Sequence, residues 1–370
     1  MTRTTARSHR LGRAAAVVVS AAALALVAVP STAATKTAAA PSAQRAVAAS
    51  PAGGFVGEGS VWRQDISNAP LHENSARMAA HLDKQVKSVY GGIAAFNVWK
   101  HNTSVYTVPA SQKRITVKFD NCQGKSYVPQ QLYVASKGAH FVDVPIPDDA
   151  LPAADSDAQL TIYSPSTDQL WEFWKAKKKA DGWYACWGGR IDKASTSNGI
   201  FPDGMGASAT GLAVAPGSIR VDEVRRGEID HALSLAIPSP AQWKNFSWPA
   251  QRSDGADYSP DAIPEGTRLR LDPRVDVDSL KLTPIAKMVA KSAQKYGFIV
   301  SDRSGSVSIQ AESGLGLKAQ TGSDPWAGIL GKTPSYLVFQ NFPWDKMQAL
   351  PKDYGKPGTP VVAPVKTCPA

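Results

Sequence analysis

The run with the most chemistry in it is residues 228–237, Glu-Ile-Asp-His-Ala-Leu-Ser-Leu-Ala-Ile. Read as a β-strand, its period of two puts Ile229, His231, Leu233, Leu235 and Ile237 on one face. Glu228, Asp230, Ala232, Ser234 and Ala236 then share the other. The first face is apolar enough for a core, and the second is small and acidic, suiting the floor of an open groove. Glu228 and Asp230 would lie ~7 Å apart, two strand rises, a spacing compatible with acid/base work on a glycosidic bond.

Glu172, between Trp171 and Phe173, completes a candidate carboxylate set, because neighbouring rings disfavour its charged form as a general acid requires. His231 offers lyase chemistry instead. A neutral imidazole, or the phenolate of Tyr296, would remove the proton beside a uronate carboxylate. Its place among Ile and Leu also fits a buried histidine with one hydrogen-bond partner. Arg268 and Arg270 share one face of residues 268–272. They would either neutralise such a uronate or pair with Glu228, Asp230 or Glu172 across a sheet. Trp171 and Trp174 are candidates for stacking on sugar rings.

These residues need strands to hold them. Period-two patterning between Gly, Pro, Asn and Asp punctuation predicts strands at 114–119, 159–163, 170–176, 183–187, 218–222, 228–237, 268–271, 298–302 and 307–311. Two helices are expected. Residues 74–90 carry Met78, Leu82, Val86, Val89 and Tyr90 on one face, and residues 282–296 open with Thr283 and Pro284. The expected fold is therefore mainly β, an antiparallel β-sandwich of jelly-roll type with two helices. One domain at 54–350 and a Pro/Gly-rich tail at 351–370 complete the plan.

The chain has 370 residues, with 41 Lys+Arg against 31 Asp+Glu, a formal charge of +10. Six of those basic residues (Arg3, Arg7, Arg10, Arg13, Lys36 and Arg45) fall within the first 53 residues, which contain no acidic one. Removing six from 41 leaves 35 against 31, so the folded part is nearly balanced and a nucleic-acid partner is not expected. Residues 1–33 read as an export signal: an arginine-bearing start, an apolar run at 14–29 and small residues Ser31-Thr32-Ala33. An Ala/Ser/Pro-rich linker follows at 34–53. The mature chain is expected to be extracellular, monomeric and without a membrane span. Of three cysteines, Cys122 and Cys186 are the expected disulfide, leaving Cys368 near the terminus. No cofactor motif is present. The polar turns 252–255 and 302–305 leave room for a structural calcium, without EF-hand spacing.

Gly227-Glu228-Ile229-Asp230 resembles the opening of the active-site strand in laminarinase- and lichenase-type glycoside hydrolases. The second glutamate of that family is replaced here by His231, Ala232 and Leu233, so its acid/base is missing. A wider series resembles a group of exported bacterial β-sandwich proteins, found alone or inside multimodular surface proteins. It comprises Trp171-Glu172-Phe173-Trp174, residues 206–212, Gly227 to Leu233, Trp248-Pro249-Ala250, residues 266–271 and Tyr296-Gly297. The company those proteins keep implies a carbohydrate-related role. Together the readings predict a secreted polysaccharide-degrading enzyme, a hydrolase in preference to a lyase. The alternative is a non-catalytic carbohydrate-binding or cell-envelope interaction module.

Overall fold

The computed structural model describes residues 54–359, all within the compact unit Gln44–Ala370. The expected export signal, the expected linker and Cys368 lie outside the described residues. Eight strands form the first half: β1 Ala95–Asn97, β2 Thr103–Thr107, β3 Lys118–Phe119, β4 Gln159–Ser164, β5 Gln169–Trp174, β6 Lys177–Lys179, β7 Gly182–Ala185 and β8 Trp187–Asp192. Five follow: β9 Leu233–Ile237, β10 Arg268–Leu271, β11 Phe298–Arg303, β12 Ser308–Gln310 and β13 Met347–Ala349. The α-helices are α1 Ser75–Lys87, α2 Val221–Arg226, α3 Pro284–Lys295, α4 Gly314–Thr321 and α5 Pro325–Leu330.

The strands form a six-stranded sheet in the order β1-β12-β9-β11-β10-β13, a four-stranded sheet β2-β4-β5-β8 and a three-stranded sheet β3-β7-β6. The expected richness in strands holds, but the sheets are mixed rather than antiparallel. β1 with β12, β9 with β11, β2 with β4 and β3 with β7 are parallel pairs. The two expected helices are α1 and α3, the latter capped by Thr283, whose hydroxyl accepts from the Ala286 amide at 3.2 Å. The C-terminal part of the expected domain adds α4, α5 and β13, none of which the period-two pattern predicts.

Residues 218–232 depart most from expectation. Asp222 and Glu223 sit in the first turn of α2, Arg225 and Arg226 in its last turn, and Gly227 ends it at φ 84°. Charges placed this way suit a helix macrodipole, and only glycine takes that φ cheaply. The strand therefore starts at Leu233, and Glu228 and Asp230 lie in the loop before it.

On the six-stranded sheet, alternation sorts the side chains into two chemistries. Phe96, Ile309, Leu233, Leu235, Phe298, Val300, Leu269, Leu271 and Met347 point to one face and join a core with α1 and α3. The paired positions Ala95–Ser308, Asn97–Gln310, Ser308–Ala236, Ser234–Ile299, Ile299–Arg268 and Arg270–Gln348 define a second face that is mostly small or polar. The four- and three-stranded sheets share a separate core containing Leu160, Ile162, Trp171, Phe173 and Trp183.

Cys122 and Cys186 form the expected disulfide across 64 residues of sequence, with Cα atoms 5.6 Å apart. It ties the loop after β3 to the junction of β7 and β8. Converting both residues to serine is expected to cost about 2–4 kcal/mol through the freed unfolded chain. Urea denaturation of the double variant measures this, and an unchanged midpoint would contradict it.

Candidate functional site

An open cleft of ≈ 830 Å³ lies over the polar face of the six-stranded sheet. Its size is near the upper end of the roughly 300–1,000 Å³ typical of ligand sites. Ala95 and Asn97 of β1, Ser308 and Gln310 of β12, Ala236 of β9 and Asp302 of β11 line it. The opposite wall is His101, Asn102, Asp157 and Gln159, and Tyr90 and Tyr336 also line it. Those two tyrosines are 73% and 65% exposed, which puts their rings within reach of a bound ligand.

Asp302 owes its place to a β-bulge. Val300 pairs with Leu235 but Asp302 pairs with Ala236, so Ser301 is the extra residue. Strict alternation would send residue 302 into the apolar core with Phe298 and Val300. The bulge turns it to the cleft side instead. Burial, with Asp254 adding like charge, pushes its carboxyl up to about 7. Its oxygens accept from the amides of Ala209 and Arg303 at 3.3 and 2.9 Å.

The opposite wall is braced locally. Asp155 accepts from the amides of His101, Asp157 and Ala158. Asp157 accepts from Trp174 Nε1 at 2.9 Å. His101, Asp155 and Asp157 place ligand atoms within 4.8 Å of one another, but both carboxylates already hold this turn in shape.

None of the catalytic and sugar-binding candidates singled out in the sequence lines the cleft, and Trp174 reaches it only through its bond to Asp157; among them Arg268 meets the Tyr296 carbonyl, away from the cleft. Glu228 is exposed, and Asp230 sits 3.6 Å from Arg63 and 3.7 Å from Arg226. Glu172 is buried and accepts from the amides of Val214 and Ala215 at 2.8–2.9 Å, anchoring the turn there. Its environment matches the expected general acid, since burial pushes it up to about 7, but backbone amides surround it instead of a groove.

His231 is 3% exposed, with Nδ1 2.7 Å from the Ala232 carbonyl and Nε2 3.0 Å from Glu223. Both ring nitrogens face acceptors, leaving none for a ligand. Arg268 and Arg270 lie on the polar face as expected. They bind protein instead of a uronate or a carboxylate. Arg268 donates to Gln64 and the Tyr296 carbonyl, and Arg270 to Gln348 and the carbonyls of Ile66 and Ser67. Burial pulls Arg268 down to about 10. Trp171 is wholly buried, and the Tyr296 ring lies 4.9 Å from Lys295 Nζ.

Among the described residues no helix is long and apolar enough to cross a membrane. No family model matches the chain, and no curated protein or solved structure does either.

Proposed function

We propose that the chain is exported and binds polysaccharide along this cleft. One observation carries the reading: the floor is a polar sheet face where the amide-bearing Asn97 and Gln310 are register partners, in a cleft that two exposed tyrosines also line. Sugar hydroxyls both donate and accept, as amides do. The C–H faces of pyranose rings pack on aromatic rings such as those of Tyr90 and Tyr336. Small Ser308 and Ala236 leave depth for a ring to descend to the sheet. The similarity to exported proteins in carbohydrate-related company supports the same reading.

Hydrolysis is the second reading, favoured by Asp157 and Asp302 lining one cleft. Two carboxylates flanking a bound glycan are the usual equipment for glycosidic cleavage. Incubation with neutral and uronic-acid polysaccharides separates the two. Retained binding without new reducing ends is expected for a binding protein, whereas new reducing ends lost on Asp157→Asn would identify a hydrolase. An ultraviolet-absorbing unsaturated product would indicate a lyase and contradict both.

A further inference from the structure

We propose that Asp254, Glu265 and Asp302 form a binding site for a divalent cation, with Ca²⁺ the ion that suits it. The inference does not rest on the polysaccharide reading. Each residue places a carboxylate oxygen within 4.8 Å of the other two. No Lys, Arg or His lies within ion-pair distance of any of the three among the described residues. The nearby Arg252 guanidinium is committed to the carbonyls of Gly204, Gly206, Ser208 and Ala209.

A second observation is independent of the clustering. Glu265 is 0% exposed, yet its Oε1 has no hydrogen-bond partner among the described residues. A fully buried carboxylate oxygen left bare beside two more carboxylates is costly unless something positive sits against it.

The backbone is built to bring these residues together. Gly255 and Gly266 directly follow two of the three ligands. A Cβ on Gly266 would stand 1.7 Å from the Ser247 carbonyl oxygen, and one on Gly255 would stand 1.9 Å from that of Ala241. Glycine alone permits both approaches, and the Ser301 bulge aims the third ligand. An all-oxygen, triply acidic donor set matches a hard cation and lacks the nitrogen or sulfur that zinc prefers. The exposed Asp254 opens the cluster to solvent, so an ion can enter.

Isothermal titration of CaCl₂ into the EDTA-treated, dialysed chain tests the site. The expected result is one site per chain, with affinity about tenfold or more weaker in Asp254→Asn, because each ligand charge sets Ca²⁺ affinity. Asp254 lies on the surface and does not line the cleft, so this variant keeps its fold and its glycan floor. Failure of the cation site and failure of glycan binding therefore read out separately. No calcium heat in the folded chain, or an unchanged affinity in Asp254→Asn, would overturn the proposal. A site that takes up MgCl₂ but not CaCl₂ would overturn the assignment to calcium.

Discussion

Replacing Glu223 by alanine is expected to lower the unfolding free energy by about 3–5 kcal/mol, the cost of stranding buried charge. Glu223 is fully buried and stands 2.5 Å from Arg220 Nη2 and 3.0 Å from His231 Nε2, while its other oxygen accepts from the Arg220 amide. Burial alone would raise its pKa, but His231 and Arg220 outweigh that and hold it below the usual glutamate value. Alanine leaves the Arg220 guanidinium only the longer 3.4 Å contact of its Nε with Asp222, in a site where that side chain is 3% exposed. The same change uncaps α2, the helix that places the loop before β9. Adding His231→Leu to Glu223→Ala is expected to recover part of the loss, because one stranded polar group is removed with its partner. Urea denaturation measures both variants. A cost below about 1 kcal/mol for Glu223→Ala would contradict the network, since that is the range of ordinary surface changes.

The second large effect concerns pH. Burial raises Glu172 and Glu312 from the ordinary 4.5 to about 7, against the pull of the amides of Val214 and Ala215 on Glu172 and of Val221 on Glu312. A native pKa above the unfolded one means that the folded chain binds more protons between those values. The contribution is present in full below about pH 4.5 and is lost as pH rises through about 7. The rise is on the order of 3 kcal/mol for each carboxyl. Thermal unfolding should therefore show a midpoint falling by several degrees from about pH 5 to about pH 8. Glu172→Gln removes one titrating group, and its slope should be visibly shallower. A midpoint that climbs over that range, or a slope unchanged in Glu172→Gln, would contradict the assignment.

Much of the cleft was legible, though not its chemistry. Alternation over residues 228–237 predicts an apolar face and a small polar one. From Leu233 onward that holds: Leu233, Leu235 and Ile237 are core, while Ser234 and Ala236 lie on the polar face. The pattern does not extend backward to residue 228. The strand cannot include Glu228 and Asp230, because Gly227 closes α2 and the chain needs several residues to turn into the sheet.

Asp302 ends the predicted strand 298–302 and opens the polar turn 302–305, and simple alternation gives a carboxylate there no reason to face a cleft. The signal was the conflict itself. An aspartate in phase with Phe298 and Val300 demands either a buried charge or a bulge, and the bulge occurs. Glu265 carries no local mark in sequence, because its role depends on meeting Asp254 and Asp302 across the fold. Arg268 and Arg270 were placed on the correct face. Most of their partners, the carbonyls of Gln64, Ile66, Ser67 and Tyr296, are backbone groups that no side-chain pattern announces. The parallel pairings were hidden for a similar reason, since alternation states which face a residue takes and says nothing of strand direction.

The most direct test of the account is titration of soluble neutral and acidic polysaccharides into the wild-type chain and into the cleft variants Asn97→Ala/Gln310→Ala and Ala236→Trp. The account predicts binding to at least one of them. Affinity should fall roughly 10- to 30-fold in the double variant, the loss of two hydrogen bonds at about 1 kcal/mol each. It should vanish when the indole fills the floor. Binding that survives Ala236→Trp unchanged, or no binding by a folded wild-type chain across the panel, would contradict it.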